Sequence, residues 1–507
     1  MKSNLDIKMD SEQLHTLADL RVLMLNPPFF PRFSRAQRSP AVTRSGTFYY
    51  PIWQAYAAGV LEDAGCQVRL IDAPASGETI DDLCALVKEW KPHLLVLDTS
   101  TPSFVNDMEV LNALKGACPL MMAVAVGTHV SARPDEAMRA TPHLDAVARR
   151  EYEYTLCDVA GALANGSSME DIAGLTFRRG DEIVHNMDRP YITDLDALPF
   201  ASRVYKAHLR PEDYFYAITP HPVITIVTGR GCPHRCTYCV FPQTLQGRGY
   251  RYRSPEDVVA EFAYIAQELP QITHVFIEDD TLTVNRSRCE ELSRLLREAN
   301  TGLTFTANSR ADVKYETLVA LKSAGCRMLC VGFESGDNQI LHNMHKGITV
   351  EQMEQFVRDA RRAGILVHGC FMAGNPGETE ETLARTLNLA KRLNPDTAQF
   401  FPLMVYPGTE AYAWAEENGY LATLNYRAWL SEDGLHNCVL NTPALSSEEL
   451  VAWCNDARRA FYLRPRYIWS KLKQVVIRPA EFRRVLMASR TFFPFLFQSK
   501  SRRPERK

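Results

Sequence analysis

The sequence contains no apolar run long enough for a membrane-spanning helix: the longest, such as residues 119–127, stop far short of the roughly 20 residues a span requires. A cleavable secretory leader is not expected either, because residues 1–19 are polar and of mixed charge. The chain therefore reads as cytoplasmic, in a reducing compartment where its 13 cysteines are poor candidates for a disulfide framework. Net charge is nearly absent at −3, but it is unevenly placed. From Arg458 to Lys507, 15 Lys and Arg stand against two acids, Glu481 and Glu505, so the rest of the chain is acidic. A basic tail on an acidic body suggests an anionic partner, such as a membrane surface or nucleic acid. What remains is ordinary globular composition, 46% hydrophobic and 23% charged, and 507 residues are enough for two or three domains.

Strands and helices alternate from the start. Arg21 to Pro28 reads as a buried strand ending in a turn, Ile52 to Ala64 as a helix and Gln67 to Asp72 as a second strand. A helix over Ile80 to Trp90, a strand over Leu94 to Asp98, a helix over Phe104 to Lys115 and a strand over Met121 to Val126 continue the pattern. Alternation implies parallel pairing in a doubly wound, Rossmann-like sheet whose ligand lies beyond the strand C-termini. Those ends carry Asn26, Asp72, Thr99, Ser100, Gly127, Thr128 and His129. Residues 166–215 read as a linker, hairpin-like from Gly174 to His185, with Pro190, Pro199 and Pro211 arguing against regular structure. A second alternating series has strands at Val223 to Val227, His274 to Ile277, Thr304 to Ala307, Met328 to Phe333, Leu366 to Met372 and Thr397 to Pro402. Six β/α units without an obvious dinucleotide-binding glycine pattern predict a partial, TIM-like (β/α)6 barrel with its site at the C-terminal strand ends. The expected division is 20–165, 166–215, 216–430 and a helical, basic C-terminal region, 431–507.

The first strand of the second series runs into Thr228-Gly229-Arg230-Gly231-Cys232-Pro233-His234-Arg235-Cys236-Thr237-Tyr238-Cys239. Its glycines carry no reactive group and let the backbone turn tightly. Cysteine thiolates ligate iron–sulfur clusters, and a four-iron cluster normally takes four. Cys232, Cys236 and Cys239 supply three, which would leave one iron open, as in a catalytic metal site. Zinc is the alternative, although no fourth Cys or His stands at knuckle spacing beyond the trio; His234 is expected to face solvent. Period-two alternation puts Cys326, Met328, Cys330, Gly332 and Glu334 on one face of the fourth strand, with Cys330 directed at the barrel interior. Cys66, Cys84, Cys118, Cys157, Cys289 and Cys370 read as core.

With Tyr238 as the aromatic before the last cysteine, the spacing resembles the radical SAM signature C-x3-C-x-Φ-C. That resemblance implies a [4Fe-4S] cluster whose open iron chelates S-adenosylmethionine, cleaved to a 5′-deoxyadenosyl radical by an electron from an external donor. Further stretches resemble the family in order. Asp279 and Asp280, in Glu278-Asp279-Asp280-Thr281, fall where the methionyl amine is met, and Arg310 where an arginine pairs with the methionyl carboxylate. Glu334 and Ser335, in Gly332-Phe333-Glu334-Ser335-Gly336, fall at the ribose; Gly374 and Glu378, in Gly374-Asn375-Pro376-Gly377-Glu378-Thr379, fall on the adenine side. Residues 20–165 resemble the cobalamin-binding domain that precedes many radical SAM domains. Its D-x-H-x-x-G frame reads Asp72-Ala73-Pro74-Ala75-Ser76-Gly77 here, and Pro74 cannot ligate cobalt. The resemblance therefore implies cobalamin held without that histidine, by Asp72, Ser76 and Gly77, by Thr99 and Ser100, and by Gly127-Thr128-His129 as the loop for the nucleotide tail. A plain doubly wound domain is the alternative.

In the tail, Ile468, Trp469, Leu472, Val475 and Val476 share one helical face; Phe482 to Arg490 repeats the pattern before the aromatic run Phe492 to Phe497. Basic amphipathic helices followed by aromatics suit an anionic membrane surface, with docking onto the barrel as the competing arrangement. The whole reads as a cobalamin-dependent radical SAM enzyme that methylates an unactivated carbon of a small-molecule or lipid-like substrate. The alternative is ring-forming or other rearrangement chemistry without methyl transfer, for example on a hopanoid-like lipid. An RNA-modifying methylthiotransferase would bring a second cysteine trio and an RNA-binding barrel, neither of which is evident, so no nucleic-acid partner is expected. A non-catalytic iron–sulfur carrier would keep the cluster without cleaving S-adenosylmethionine. The expected location is cytoplasmic, with peripheral contact at the inner membrane surface.

Overall fold

The computed structural model describes residues 16–477. Strands β1 (Arg21–Asn26), β2 (Gln67–Asp72), β3 (Leu94–Asp98), β4 (Met122–Val126) and β5 (Ala146–Ala148) pair in parallel. β6 (Leu175–Arg179) and β7 (Glu182–His185) add an antiparallel hairpin, giving the order β2-β1-β3-β4-β5-β6-β7. Val22, Leu23, Met24 and Leu25 of β1 and Leu94 to Leu97 of β3 are all buried, as a parallel sheet covered by helices on both faces requires. The hairpin lies within Gly174 to His185 as expected, but Phe177 opposite Ala146 makes it the edge of the sheet and the helix Ala201–His208 follows it, so 166–215 is more than a linker. Pro190, Pro199 and Pro211 all follow β7 and lie outside the paired residues.

The second sheet begins with β8 (Ile224–Ile226). A two-stranded ribbon of β9 (Gly229–Arg230) and β10 (Arg251–Tyr252) interrupts the series before β11 (His274–Ile277), β12 (Thr304–Ser309), β13 (Cys326–Glu334), β14 (Leu366–Ala373) and β15 (Thr397–Pro402). β8 and β11 to β15 lie side by side in chain order, all parallel, with β8 and β15 at the two edges. This is the partial barrel expected, and every strand C-terminus points to one rim.

The helix Ile52–Asp63 joins the two halves. It is buried from Ile52 to Leu61, because it packs on β1 and β2 and against the helices Glu153–Asn165 and Ala201–His208. The Tyr50 hydroxyl donates to the carbonyl of Val223 at 2.9 Å, and the Tyr56 hydroxyl lies 3.2 Å from the carbonyl and 3.1 Å from the amide of Val227. One hydrophobic core therefore runs through both halves. At the far end, the helix Pro465–Ile477 packs Tyr467 inward and leaves Ile468, Trp469 and Leu472 exposed. The side chains of Val475 and Val476, and the segments Phe482 to Arg490 and Phe492 to Phe497, lie outside what the structure describes.

Candidate functional site

The cysteine loop leaves β8 at the barrel rim. Gly231 (φ 79°) lets it turn where a Cβ would stand 2.2 Å from the carbonyl oxygen of Gly249. The loop is pinned before any metal enters: Gly231 N donates to Gln246 Oε1 at 3.0 Å, Thr237 N to the carbonyl of Met344 at 3.2 Å, and Gln243 Nε2 to the carbonyl of Cys239 at 2.8 Å. All 13 cysteines are free thiols. Cys236 is buried and Cys232 and Cys239 half-buried. Burial, then the Asp280 charge, pushes the Cys232 thiol up to about 11 and the Cys239 thiol well above its ordinary value, so loading iron must displace protons. His234 is half-buried rather than solvent-facing, and burial lowers its pKa to about 4.

Arg230, between the loop's glycines, is 2% exposed and points into the first domain. It pairs with Glu153 at 2.7 Å and lies over the rings of Trp53 and Tyr56. Arg251, opposite it in the ribbon, grips Glu151 with two bonds of 2.7 and 2.8 Å.

At the end of β11 the acids divide their work. Asp279 accepts from the amide and hydroxyl of Thr228 at 2.6 and 2.7 Å and so ties β11 to the root of the cysteine loop. Glu278 and Asp280 instead receive Arg38, which arrives from the loop after β1. Its Nη1 donates to Glu278 Oε1 at 2.6 Å and its Nη2 to Asp280 Oδ1 and the carbonyl of Asp279, both at 3.1 Å. Glu278 Oε2 and Asp280 Oδ2 remain buried and unpartnered. Burial raises the Glu278 carboxyl to about 7 despite Arg38 beside it.

Glu334 ends β13 in the left-handed region, at φ 63°. Its Oε1 accepts from the Tyr238 hydroxyl at 2.9 Å and from Lys346 Nζ at 2.8 Å, and its Oε2 is buried without a partner. Arg310 donates to the carbonyl of Lys346 at 2.7 Å and to Asp312 at 3.1 Å. Ser335 shares a hydrogen bond with Thr386, and Glu378 Oε2 accepts from the amides of Gly374 and Asn375 at 2.5 and 3.0 Å while its Oε1 is buried without a partner. Cys330 is buried in the main hydrophobic core, and burial followed by the proximity of Cys370 and Glu278 raises its thiol strongly. Burial, then the Glu334 charge, pushes the half-buried Cys370 thiol up to about 12.

In the first sheet the strand order reverses between β1 and β3, the switch point at which a doubly wound sheet is expected to hold its ligand in a crevice above the strand C-termini. Arg35 lies across it, fully buried against Asp107 at 2.5 Å and donating to Asn26 at 2.6 Å. Asp72 accepts from Asn26 at 2.5 Å and Tyr214 at 2.8 Å; burial raises its pKa to about 7. Ser76 donates to the carbonyl of Asp72, Gly77 caps the short helix Ala73–Ser76 that contains Pro74, and Ser100 bonds to Ser103. Gly127, at φ 115°, sits where a Cβ would be 2.2 Å from the Thr99 carbonyl. Thr128 opens the helix Thr128–Ala132, and His129, kept neutral by burial with a pKa of about 3, packs on Phe104 and Tyr426. Thr99 Oγ1, His129 Nε2 and the Tyr152 hydroxyl are buried without partners just past β3, β4 and β5. Unsatisfied buried polar atoms converging on a close-approach glycine fit a polar, nucleotide-bearing cofactor.

The structure thus gathers Cys232, Cys236, Cys239, Tyr238, Asp280, Arg310 and Glu334 at one rim. Asp279, Ser335 and Glu378 lie there with side chains used by the fold, and Asp72, Ser76, Ser100, Thr99, Gly127 and His129 stand around the crevice. Arg38, Lys346 and Arg230 escaped the sequence reading; only Arg230, inside the cysteine motif, carried a positional signal.

Residues 226–390 match the Radical SAM superfamily and residues 38–160 the B12 binding domain. The "Uncharacterized methyltransferase PH0819" of Pyrococcus horikoshii is 30% identical, over 89% of this chain and 94% of that protein. The anaerobic magnesium-protoporphyrin IX monomethyl ester cyclase of Cereibacter sphaeroides is 27% identical, over 82% of this chain and 67% of that protein. Among solved structures, the radical S-adenosylmethionine methyltransferase TsrM from Kitasatospora setae superposes with a TM-score of 0.66 at 20% identity, over 88% of this chain and 89% of that one. The cobalamin-dependent S-adenosylmethionine radical enzyme OxsB gives 0.68 at 16% identity, over 93% and 72%. At such identities these two likenesses concern the fold.

Proposed function

The chain belongs to the radical SAM enzymes that carry a B12-binding domain, and from that premise we propose that it methylates an unactivated carbon of a small-molecule or lipid-like substrate. Its cofactors are a [4Fe-4S] cluster, S-adenosylmethionine and cobalamin; together they supply one-electron cleavage of a sulfonium and a methyl donor. Cys232, Cys236 and Cys239 would hold the cluster and leave one iron free. The unpartnered oxygens of Glu278 and Asp280 would take a cationic amine, Arg310 a carboxylate, and Glu334 Oε2 a hydroxyl. Thr99, Gly127, His129 and Tyr152 would line the cobalamin crevice.

The observation that carries the reading is Arg38. It starts in the loop over the cobalamin crevice and ends on Glu278 and Asp280 beside the cysteine loop, so the two cofactor sites lie against each other. Proximity of this kind is what a protein contributes to chemistry performed by its cofactors. Ring chemistry is the second reading, favoured by the 27% identity to a cyclase over 82% of the chain. Anaerobic reconstitution with iron, sulfide, cobalamin, reductant and S-adenosylmethionine tests both. Methylation yields 5′-deoxyadenosine together with S-adenosylhomocysteine, and cyclisation yields only the first. Neither product, or full turnover in Cys236→Ala, would refute the enzymatic reading.

An external electron donor and an anionic membrane surface complete the proposal. Ile468, Trp469 and Leu472, exposed beside Lys471 and Lys473, support the second.

A further inference from the structure

Tyr238, Glu334 and Lys346 form a closed triangle against the cysteine loop. Lys346 Nζ lies 2.8 Å from Glu334 Oε1 and 3.0 Å from the Tyr238 hydroxyl, which itself donates to the same carboxylate oxygen at 2.9 Å. Tyr238 is the residue between Cys236 and Cys239 that defines the motif, so the triangle is built onto the metal-binding turn. The segment carrying Lys346 is bonded to that turn independently, through Thr237 N and the carbonyl of Met344 at 3.2 Å, and to β12 through Arg310.

Three features mark the ion pair as more than packing. Both side chains are almost fully buried, at 7% and 6% exposure, where charges are little screened. Glu334 holds a positive φ that non-glycine residues rarely adopt, and such outliers cluster at functional sites. Gly332 leaves the room: a Cβ there would stand 2.1 Å from Glu334 Oε1 and 2.8 Å from Lys346 Nζ. Lys346 Nζ makes its ion pair with Glu334 and also donates to the Tyr238 hydroxyl, so the charge sits directly against the metal-binding turn.

We propose that Lys346 and Glu334 tune the reduction potential of the cluster held by Cys232, Cys236 and Cys239, the lysine raising it and the glutamate lowering it. The inference rests on the functional reading above. Reduction adds one negative charge to the cluster, and cluster potentials respond to nearby charge, hydrogen bonding and burial. A buried cation at the turn favours the reduced state, and its carboxylate partner offsets that effect. Lys346 and Glu334 are thus positioning residues toward the cluster, acting through the turn rather than as ligands.

The test is an anaerobic potentiometric titration of the full chain, reconstituted with iron and sulfide and followed by electron paramagnetic resonance without S-adenosylmethionine. Lys346→Met should move the midpoint to more negative potential and Glu334→Gln to less negative potential, while Lys346→Arg stays at the wild-type value. A purely structural pair would shift both single variants the same way or not at all, and either result at full iron content would overturn the proposal. If Lys346→Met fails to fold, Glu334→Gln decides alone: a rise supports the inference and no rise overturns it. Failure of the wild type to take up a four-iron cluster would overturn the functional reading and this inference with it; cluster uptake without opposed shifts overturns the inference only.

Discussion

Arg38 Nη1 donates to Glu278 Oε1 at 2.6 Å across 240 residues of chain, joining a loop of the first domain to a strand end of the second. Asp280 receives the same guanidinium, at 3.1 Å. One cation faces two carboxylates.

Removing that cation leaves both acids uncompensated. Arg38→Gln should cost about 2–4 kcal/mol at pH 8, toward the lower end for a pair whose arginine retains some solvent contact. Burial already holds the Glu278 carboxyl near 7, and without Arg38 its pKa rises further. Protonation then relieves the variant, so its deficit should shrink as pH falls from 8 to 6. Urea denaturation at the two pH values checks this; an equal deficit at both contradicts it.

Gly127→Ala places a methyl group 2.2 Å from the Thr99 carbonyl oxygen at a φ of 115°. β3 and β4 must then part at the cobalamin crevice. The expected cost is about 2–4 kcal/mol, with cobalamin lost on gel filtration and iron content retained. Cobalamin retention at the wild-type level would show that this approach does not shape the crevice.

Glu378 titrates at about 7, raised by burial and partly restrained by the amides of Asn375 and Gly374. Its folded pKa lies above the unfolded value near 4.5, so wild-type stability falls as pH rises through that window and is constant above it. Glu378→Gln lacks this dependence. Relative to wild type it should gain on the order of 1–3 kcal/mol between pH 4.5 and 7, then hold level. Thermal midpoints at pH 5 and 8 measure the difference; a gain confined to pH 5 reverses the sign and defeats the assignment.

Trp469→Glu combined with Leu472→Glu alters two side chains that are 63% and 55% exposed, so the fold should be untouched. Sedimentation with vesicles containing anionic phosphatidylserine should fall at least about tenfold, since burial of each such side chain is worth about 1.5–3 kcal/mol. Unchanged sedimentation would exclude this helix as the contact.

The strands were legible because parallel strands buried on both faces are near-continuous apolar runs; Leu94–Asp98 and His274–Ile277 have the bounds their sequence suggested. β5 was not, since three residues show no period. The cysteine trio was legible because its chemistry is contiguous. The acids were harder. Asp279 and Asp280 are adjacent in sequence, yet one bonds Thr228 and the other Arg38, and nothing local distinguishes them. Glu378 bonds two amides of its own turn through Oε2 and leaves Oε1 buried and unpartnered, a division no local pattern announces. Lys346 stood twelve residues past Glu334 in an unremarkable loop, and only the turn between Cys236 and Cys239 brings the two together.

Arg230 has a bearing on how the molecule moves. Swinging the two domains apart would draw a fully buried guanidinium away from Glu153 and off the rings of Trp53 and Tyr56. Breaking a buried pair in this way costs several kcal/mol, so the hinge is locked at the root of the cysteine loop. The first domain and the cysteine loop are therefore expected to move as one body.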